Sequence, residues 1–389
     1  MVKPKSTNRK LTILFGVTNS QSLKLLGMVP RRMLERGWNV HVACDNRVGE
    51  APRNLDGIAL HHLPMERNPS PLHDIVSLLR WFALLQKVEP HIVAIGTPKA
   101  ALLGILSSLL AGVPIRVYQL RGLRLETESG LKKWFLYFVE MFTARIATHI
   151  VAVSESLKNE YLKAGLSSKK GVTVLGLGSS HGVDTENFHP DRWSDWNPPY
   201  PHHRQNLEKP PLTIGFVGRF SGDKGADELL WCHQTLKKRG LDHRLLIIGP
   251  HETNEATQGN LNFSSIISVG PVHNIAPYYS LMDILVLPTH REGFPNVVLE
   301  AAASGIPTVT TNVTGAIDSV VHGVTGIIVP FGERMALVTA VEGLLVDEKR
   351  RIKLGENARA WAVRHFEESS VTESQADFLV DVWRTSRPR

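Results

Sequence analysis

The 389-residue chain has only two cysteines, Cys44 and Cys232. They lie far apart and in no ligand-like spacing, which excludes a disulfide scaffold or a thiolate metal cluster and predicts two reduced thiols. No apolar run approaches the roughly 20 residues a membrane-spanning helix needs, so nothing is expected to cross a bilayer. The opening segment, Met1 to Lys10, is polar and basic, and no signal-peptide cleavage pattern precedes the strand-length run Leu11 to Val17. That combination predicts a cytoplasmic protein. Gly-x-Gly-x-x-Gly is missing after the first run, which argues against a dinucleotide site. Acidic residues are outnumbered, leaving a net charge of +7. The basic residues are nevertheless spread out and match no nucleic-acid-binding motif, so no nucleic-acid partner is expected. Nucleoside diphosphates or phospholipid headgroups suit such a charge better.

What is present reads as ordinary globular sequence, 42% hydrophobic and 21% charged, and long enough for about two domains. Strand-length apolar runs alternate with helical periodicity from the start. Leu11 to Val17 is followed by a polar turn at Thr18 to Ser22, a helical pattern to Arg36 and a second strand, Trp38 to Cys44. Val93 to Gly96, Ile115 to Leu120 and Ile150 to Val153 continue the series, with helices at about 98–110 and 131–148 between them. This order predicts an α/β fold with a doubly wound parallel sheet and right-handed crossovers. Residues 191–211, rich in Pro, Trp, Asn and His without a period, read as a linker between a domain at 1–190 and another at 212–370. The second domain repeats the pattern at Leu212 to Gly218, Arg244 to Gly249, Ile266 to Gly270, Asp283 to Pro288, Pro307 to Thr311 and Gly326 to Pro330, followed by helices at about 333–347 and 349–364.

Two stretches of the second half carry the chemistry. In His290-Arg-Glu-Gly-Phe-Pro-Asn-Val-Val-Leu-Glu-Ala-Ala-Ala-Ser-Gly305, Glu292 and Glu300 flank the start of a helix that follows a buried strand. Pro295 suits the first turn of that helix and Gly305 its end. Ligands of open parallel sheets bind at such strand ends, against free helix N–H groups. A carboxylate among Val297, Val298, Leu299 and alanines needs donors, which the vicinal hydroxyls of a ribose or sugar would supply. Either glutamate alone reads equally well as a solvated loop or helix-surface residue; the pair is the signal. About seventy residues upstream, Gly218-Arg-Phe-Ser-Gly-Asp-Lys-Gly225 puts Arg219 and Lys224 on a glycine-punctuated turn entering a helix, where a diphosphate would fit.

Together these motifs resemble the retaining glycosyltransferases of family 4, the group 1 glycosyltransferases with the GT-B fold: two Rossmann-like domains facing a central cleft. The resemblance covers nearly the whole chain apart from the linker and the ends. It implies that Arg219 and Lys224, with Gly218, neutralise the leaving nucleoside diphosphate. Glu292 and the backbone of Gly293, Phe294, Pro295, Asn296 and Val297 would hold the donor sugar, and Glu300 the nucleotide ribose. It further implies that the helical tail, about 371–389, crosses back onto the first domain, and that no metal cofactor is needed. A UDP-sugar is expected ahead of a GDP-sugar.

The first half is less specific. Where many members carry a histidine after a central strand, this chain reads Tyr118-Gln-Leu-Arg-Gly-Leu-Arg-Leu-Glu126. Arg121, Arg124 and Glu126 therefore become candidates for gripping a phosphate or acceptor, with surface ion pairing as the competing reading. Thr18 and Asn19 are candidates either for the acceptor side or for a helix cap. Gly176-Leu-Gly-Ser-Ser-His-Gly-Val-Asp184 resembles a segment of the branch that builds capsule, exopolysaccharide or lipopolysaccharide, with His181 where asparagine is usual. That branch implies a polyprenyl-diphosphate-linked saccharide acceptor and peripheral contact with the inner face of the cytoplasmic membrane. Basic and aromatic residues from Lys132 to Phe142, and the cations Lys24, Arg31, Arg32 and Arg36 on another helix, are the candidates for that contact. A nucleotide-sugar epimerase and a non-catalytic nucleotide-sugar-binding protein remain as alternatives.

Overall fold

The computed structural model describes residues 10–46, 55–66, 70–168, 171–196, 211–252 and 264–386. The basic start up to residue 9 and most of the expected linker, 197–210, lie outside the described residues. The chain forms two compact units. The first comprises Met1–Val153, Lys158–His181 and Ser369–Arg389, and the second Ser154–Leu157 and Gly182–Glu368.

In the first unit, β1 (Thr12–Asn19), β2 (Asn39–Asp45), β3 (Ala59–His62), β4 (Ile92–Gly96), β5 (Ile115–Leu120), β6 (His149–Ala152) and β7 (Val172–Val174) form one sheet in the order β3-β2-β1-β4-β5-β6-β7. Every pairing is parallel. Continuously buried strands such as β1 and β4 show why both faces are covered. The side chains of Ile13, Phe15 and Val17 join a core with Val29 and Met33 of α1 (Val29–Glu35). Ala376, Leu379 and Val382 of the C-terminal helix close the same core.

On the other face, Gly16 of β1 leaves room for the indole of Trp81, which a Cβ would meet at 2.7 Å. Trp81 belongs to α2 (Pro71–Val88), which packs beside α3 (Pro98–Leu110). Next to α3 lies α4 (Gly130–Ile146), and α5 (Glu155–Lys163) follows β6. Neither β3 nor α2 was expected from the sequence: Ala-Leu-His-His is a short, half-exposed edge strand, and α2 carries apolar residues on its exposed side, Leu72, Ile75 and Leu79, as well as on its buried side, Trp81 and Leu85. The helical pattern expected up to Arg36 divides into a 3-10 turn, Ser20–Leu26, and α1, with Pro30 in the first turn of α1.

The second unit holds β8 (Leu212–Val217), β9 (His243–Ile248), β10 (Ile266–Gly270), β11 (Ile284–Leu287), β12 (Thr308–Thr311) and β13 (Gly326–Val329), also all parallel, in the order β10-β9-β8-β11-β12-β13. Among the described residues its helices are α6 (Ala226–Lys238), α7 (Ala276–Tyr279), α8 (Asn296–Ala303), α9 (Arg334–Val346) and α10 (Glu348–Phe366); α11 (Glu368–Ser386) begins here and continues into the first unit. The order of strands reverses between β8 and β11. That is the switch point at which open α/β sheets bind ligands, beyond the carboxyl ends of the strands.

Candidate functional site

The loops leaving β8, β9, β11 and β12 meet at this switch point, and glycines let them approach. A Cβ on Gly249, after β9, would lie 1.9 Å from the carbonyl oxygen of Gly218, after β8. One on Gly225, at the entry to α6, would lie 2.1 Å from the carbonyl oxygen of Pro288, which ends β11. Gly315, beyond β12, has φ +75°, and its Cβ would come within 2.4 Å of the Gly293 oxygen. Hydrogen bonds then fasten the loops. The His290 N–H donates to Asp223 O at 3.0 Å, and the Glu292 N–H to Thr314 O at 3.0 Å. The Thr311 hydroxyl donates to Thr289 O at 2.5 Å.

This framework brings the charged residues of the two second-half motifs together, 68 positions apart in sequence. Lys224 Nζ donates to Glu292 Oε1 at 2.5 Å, and their side chains are only 20% and 13% exposed. Arg219 is held from two sides, donating to Glu252 Oε2 at 2.7 Å and to Asp223 Oδ2 at 3.1 Å. Burial works against its charge, but Glu252 and Asp223 outweigh this and raise its pKa above the ordinary arginine value. Burial likewise disfavours the Asp223 carboxylate, yet the Ser221 hydroxyl at 2.6 Å and the charges of Arg219, Lys224 and Arg291 hold its pKa below the usual range. Their mutual contacts thus favour the charged forms of Arg219 and Asp223, and Lys224 adds a second cation to the turn.

Pro295 sits just before α8 as its extended N-cap, so the helix opens at Asn296 rather than at the proline. Gly305 follows the helix end with φ +75°, as its position suggested. Gly293, Phe294 and Pro295 are buried, with Phe294 packed against Phe366, and Asn296 and Val297 are half-buried on the opening turn. Glu300, one turn further on, accepts a 2.7 Å hydrogen bond from the buried Tyr279 hydroxyl. Burial, then the Glu300 charge, pushes the Tyr279 phenol well above its usual pKa, so it stays a donor at neutral pH. The N-terminal ends of α6 and α8 add positive potential to the cradle. The set suits an anionic leaving group beside carboxylates that accept hydroxyls. Tyr279, Asp223 and Glu252 were not singled out from sequence. Asp223 lies inside the quoted turn, whereas no spacing connects Tyr279 or Glu252 to their partners.

The first-half candidates do not form a comparable cluster. Thr18 shares a 2.7 Å hydroxyl contact with Thr97. Asn19 caps the following 3-10 turn through Ser22 N and Oγ. Arg124 is exposed on a short 3-10 turn, Arg124–Glu126, with Glu126 half-buried at its end. Arg121 is more constrained. Its Nη2 donates to Gln119 Oε1 at 2.9 Å, while Nε and Nη1 are buried with no partner among the described residues. Burial lowers its pKa to about 10. The adjoining cavity, about 30 Å³ and lined by Gln119, Ser179, Ser180 and Gln375, admits a water molecule or two rather than a sugar. The α1 cations expected to help at a membrane are engaged elsewhere: Arg36 pairs with Glu373 and with Asp377 at 2.6 Å, and Arg32 with Glu373, tying α1 to α11.

Two family models match the chain: glycosyl transferases group 1 over residues 211–347, and a glycosyl transferase 4-like domain over residues 27–178. A capsular polysaccharide biosynthesis glycosyltransferase, CapM, of Staphylococcus aureus is 36% identical over 362 residues, covering 92% of this chain and 93% of that protein. The UDP-Gal:alpha-D-GlcNAc-diphosphoundecaprenol alpha-1,3-galactosyltransferase of Escherichia coli is 23% identical, covering 97% and 99%. Among solved structures, Anabaena HepE in complex with UDP and glucose superposes with a TM-score of 0.77 at 19% identity, covering 95% of this chain and all of that one.

Proposed function

Because the chain belongs to the group 1 glycosyl transferases and has their GT-B fold, we propose that it moves a sugar from a UDP-sugar to a saccharide carried on a polyprenyl diphosphate, with retention at the anomeric carbon. Its place is the assembly of a cell-surface polysaccharide, the process named for the S. aureus relative. The donor and acceptor classes are those in the name of the E. coli relative, and UDP with glucose occupies HepE.

The observation that carries this reading is the Lys224–Glu292 contact at 2.5 Å, beside Arg219 and the start of α6. Breaking the bond from the anomeric carbon to the diphosphate leaves negative charge on phosphate oxygens and positive charge on the sugar. Arg219, held by Glu252 and Asp223, and Lys224, once released from Glu292, stabilise the first together with the helix N-termini. Glu292 and the Gly293 to Val297 turn orient the sugar. Glu300, aligned by Tyr279, accepts hydrogen bonds from the ribose hydroxyls. The acceptor oxygen bonds to the anomeric carbon on the face the diphosphate leaves, and its proton passes to a departing phosphate oxygen. No covalent sugar–protein species is required. On the acceptor side, the unpaired N–H groups of Arg121 are the candidate contact for an anionic group, reached directly or through water.

The test is UDP release from a panel of UDP-sugars with and without polyprenyl-diphosphate-linked saccharides. Release only when acceptor is present is expected, and Lys224→Ala should lower it about 10²-fold, as for loss of one preorganised charge stabiliser. Donor binding without release for any acceptor in the panel would refute transfer.

A further inference from the structure

A cleft of about 590 Å³ opens in the first unit at the end of its sheet opposite to Arg121. Leu11 and Trp38 stand immediately before β1 and β2, at the amino ends of those strands, and Val380 and Trp383 of α11 form the other wall. Trp38 belongs to the core of the unit, and Leu11, Val380 and Trp383 pack against that core, so the walls are fixed before any ligand arrives. The rings of Trp38 and Trp383 meet edge to face, with 6.3 Å between centroids, and the His91 ring meets Trp383 in the same manner at 5.1 Å. His91 is itself held at Nδ1 by the Thr12 N–H at 3.0 Å.

The mouth of the cleft is polar and balanced in charge. Two cations, Arg36 and Arg384, and two acids, Asp377 and Asp381, line it. Arg36 donates to Asp377 at 2.6 Å and to Glu373, and Arg384 Nη1 lies 3.6 Å from Asp381. Asp377, Asp381 and Arg384 are largely exposed, which leaves carboxylate lone pairs and guanidinium N–H groups open to a ligand. An anion would meet both acids, a cation both arginines, and an apolar ligand would strip water from all four charges. A neutral polyhydroxyl ligand suits both signs. Its hydroxyls donate to carboxylates and accept from guanidinium groups, while the C–H face of a sugar ring packs on an indole. The volume lies within the range of small-molecule sites.

We propose that this cleft is a second saccharide site, which holds a neutral di- or trisaccharide stretch of glycan on Trp383, with Asp381 and Arg384 bonded to its hydroxyls. It lies at amino ends of strands, whereas the residues assigned to transfer follow carboxyl ends, so it contributes binding and not chemistry. A second contact of this kind raises the effective concentration of a glycan at the enzyme. Only the origin of that glycan rests on the transferase reading; the site stands on the lining of the cleft.

The test uses the full chain with maltotriose, cellotriose and triacetylchitotriose as probes, read by saturation-transfer NMR with and without excess UDP. No turnover is measured, so failure here is separate from failure of transfer. Saturable binding of at least one probe, undisturbed by UDP, is expected. Trp383→Ala should weaken it about tenfold, as for loss of an aromatic anchor. Arg384→Ala, at an exposed side chain, should weaken it about fivefold, and circular dichroism should be unchanged in both variants. Saturation transfer to none of the probes would overturn the site. So would wild-type affinity in both variants or displacement by UDP, either of which places the saccharide elsewhere. Self-association lost in Trp383→Ala, without probe binding, would overturn it by assigning the cleft to a second copy of the chain.

Discussion

Replacing Glu292 by glutamine should move two measurements in opposite directions. Glu292 accepts from Lys224 at 2.5 Å, and both side chains are largely buried. Two unit charges a few ångströms apart attract by about 4 kcal/mol at an effective dielectric near 20, but desolvation of both offsets much of this. A net of about 1–2 kcal/mol remains for a short charge-assisted contact. An incoming diphosphate has to take Lys224 away from Glu292 against that amount. Glutamine keeps the shape and the backbone bond to Thr314 but removes the competing charge, so free UDP should bind about tenfold more tightly, which corresponds to ~1.4 kcal/mol. Turnover should fall about 10²-fold, because the carboxylate that orients the sugar is gone and small misplacements at the reacting centre cost that much. Calorimetry with UDP and initial rates of acceptor-dependent UDP release read the two quantities separately. Unchanged or weaker UDP binding would show that Glu292 does not compete for the lysine. A near-wild-type rate would remove it from sugar orientation.

Tyr279→Phe removes the 2.7 Å donor that aligns Glu300 and leaves the ring in place. UDP binding should weaken about tenfold, the worth of a hydrogen bond to a charged group, and Glu300→Ala at least as much; calorimetry giving wild-type affinity for both would refute a ribose role. The two units should also answer pH with opposite signs. In the second unit, burial and then the neighbouring His243 and Lys237 lower the pKa of His233 to about 3. Its contribution is therefore complete above the unfolded value of about 6.5 and declines as pH falls. In the first unit, burial raises Glu140 to about 7 despite its tyrosine partners, so its contribution is present below the unfolded carboxylate range and lost as pH rises through about 7. Hydrogen exchange, corrected for intrinsic rates, should show β8 and β9 less protected at pH 5.5 than at 7.5, and α4 the reverse. Each difference should be about 1–2 kcal/mol, and a common sign in both units would refute the assignment.

The amino-acid sequence by itself determined the elements whose signals are local. The helix at 98–110 and the strand at 115–120 are bounded by residues that stop one conformation and start another, and both lie where periodicity placed them. The glycine-rich turn at 218–225 and the segment at 290–305 were legible for the same reason: short-range chemistry at a strand end limits what can follow. Only the tertiary structure decided what those segments touch. That Arg219 is gripped by Glu252, that Tyr279 serves Glu300, and that Asp223 accepts from the loop after β11 depend on which strands lie side by side. Nothing in residue spacing encodes strand order across a parallel sheet. The same holds for α4. Periodicity shows that one of its faces is apolar but not which face turns inward, and here the tyrosines of β5 and α5 clasp Glu140 and bury the polar side. The direction of an amphipathic helix is set by what its neighbours offer it, and those neighbours come from remote parts of the chain.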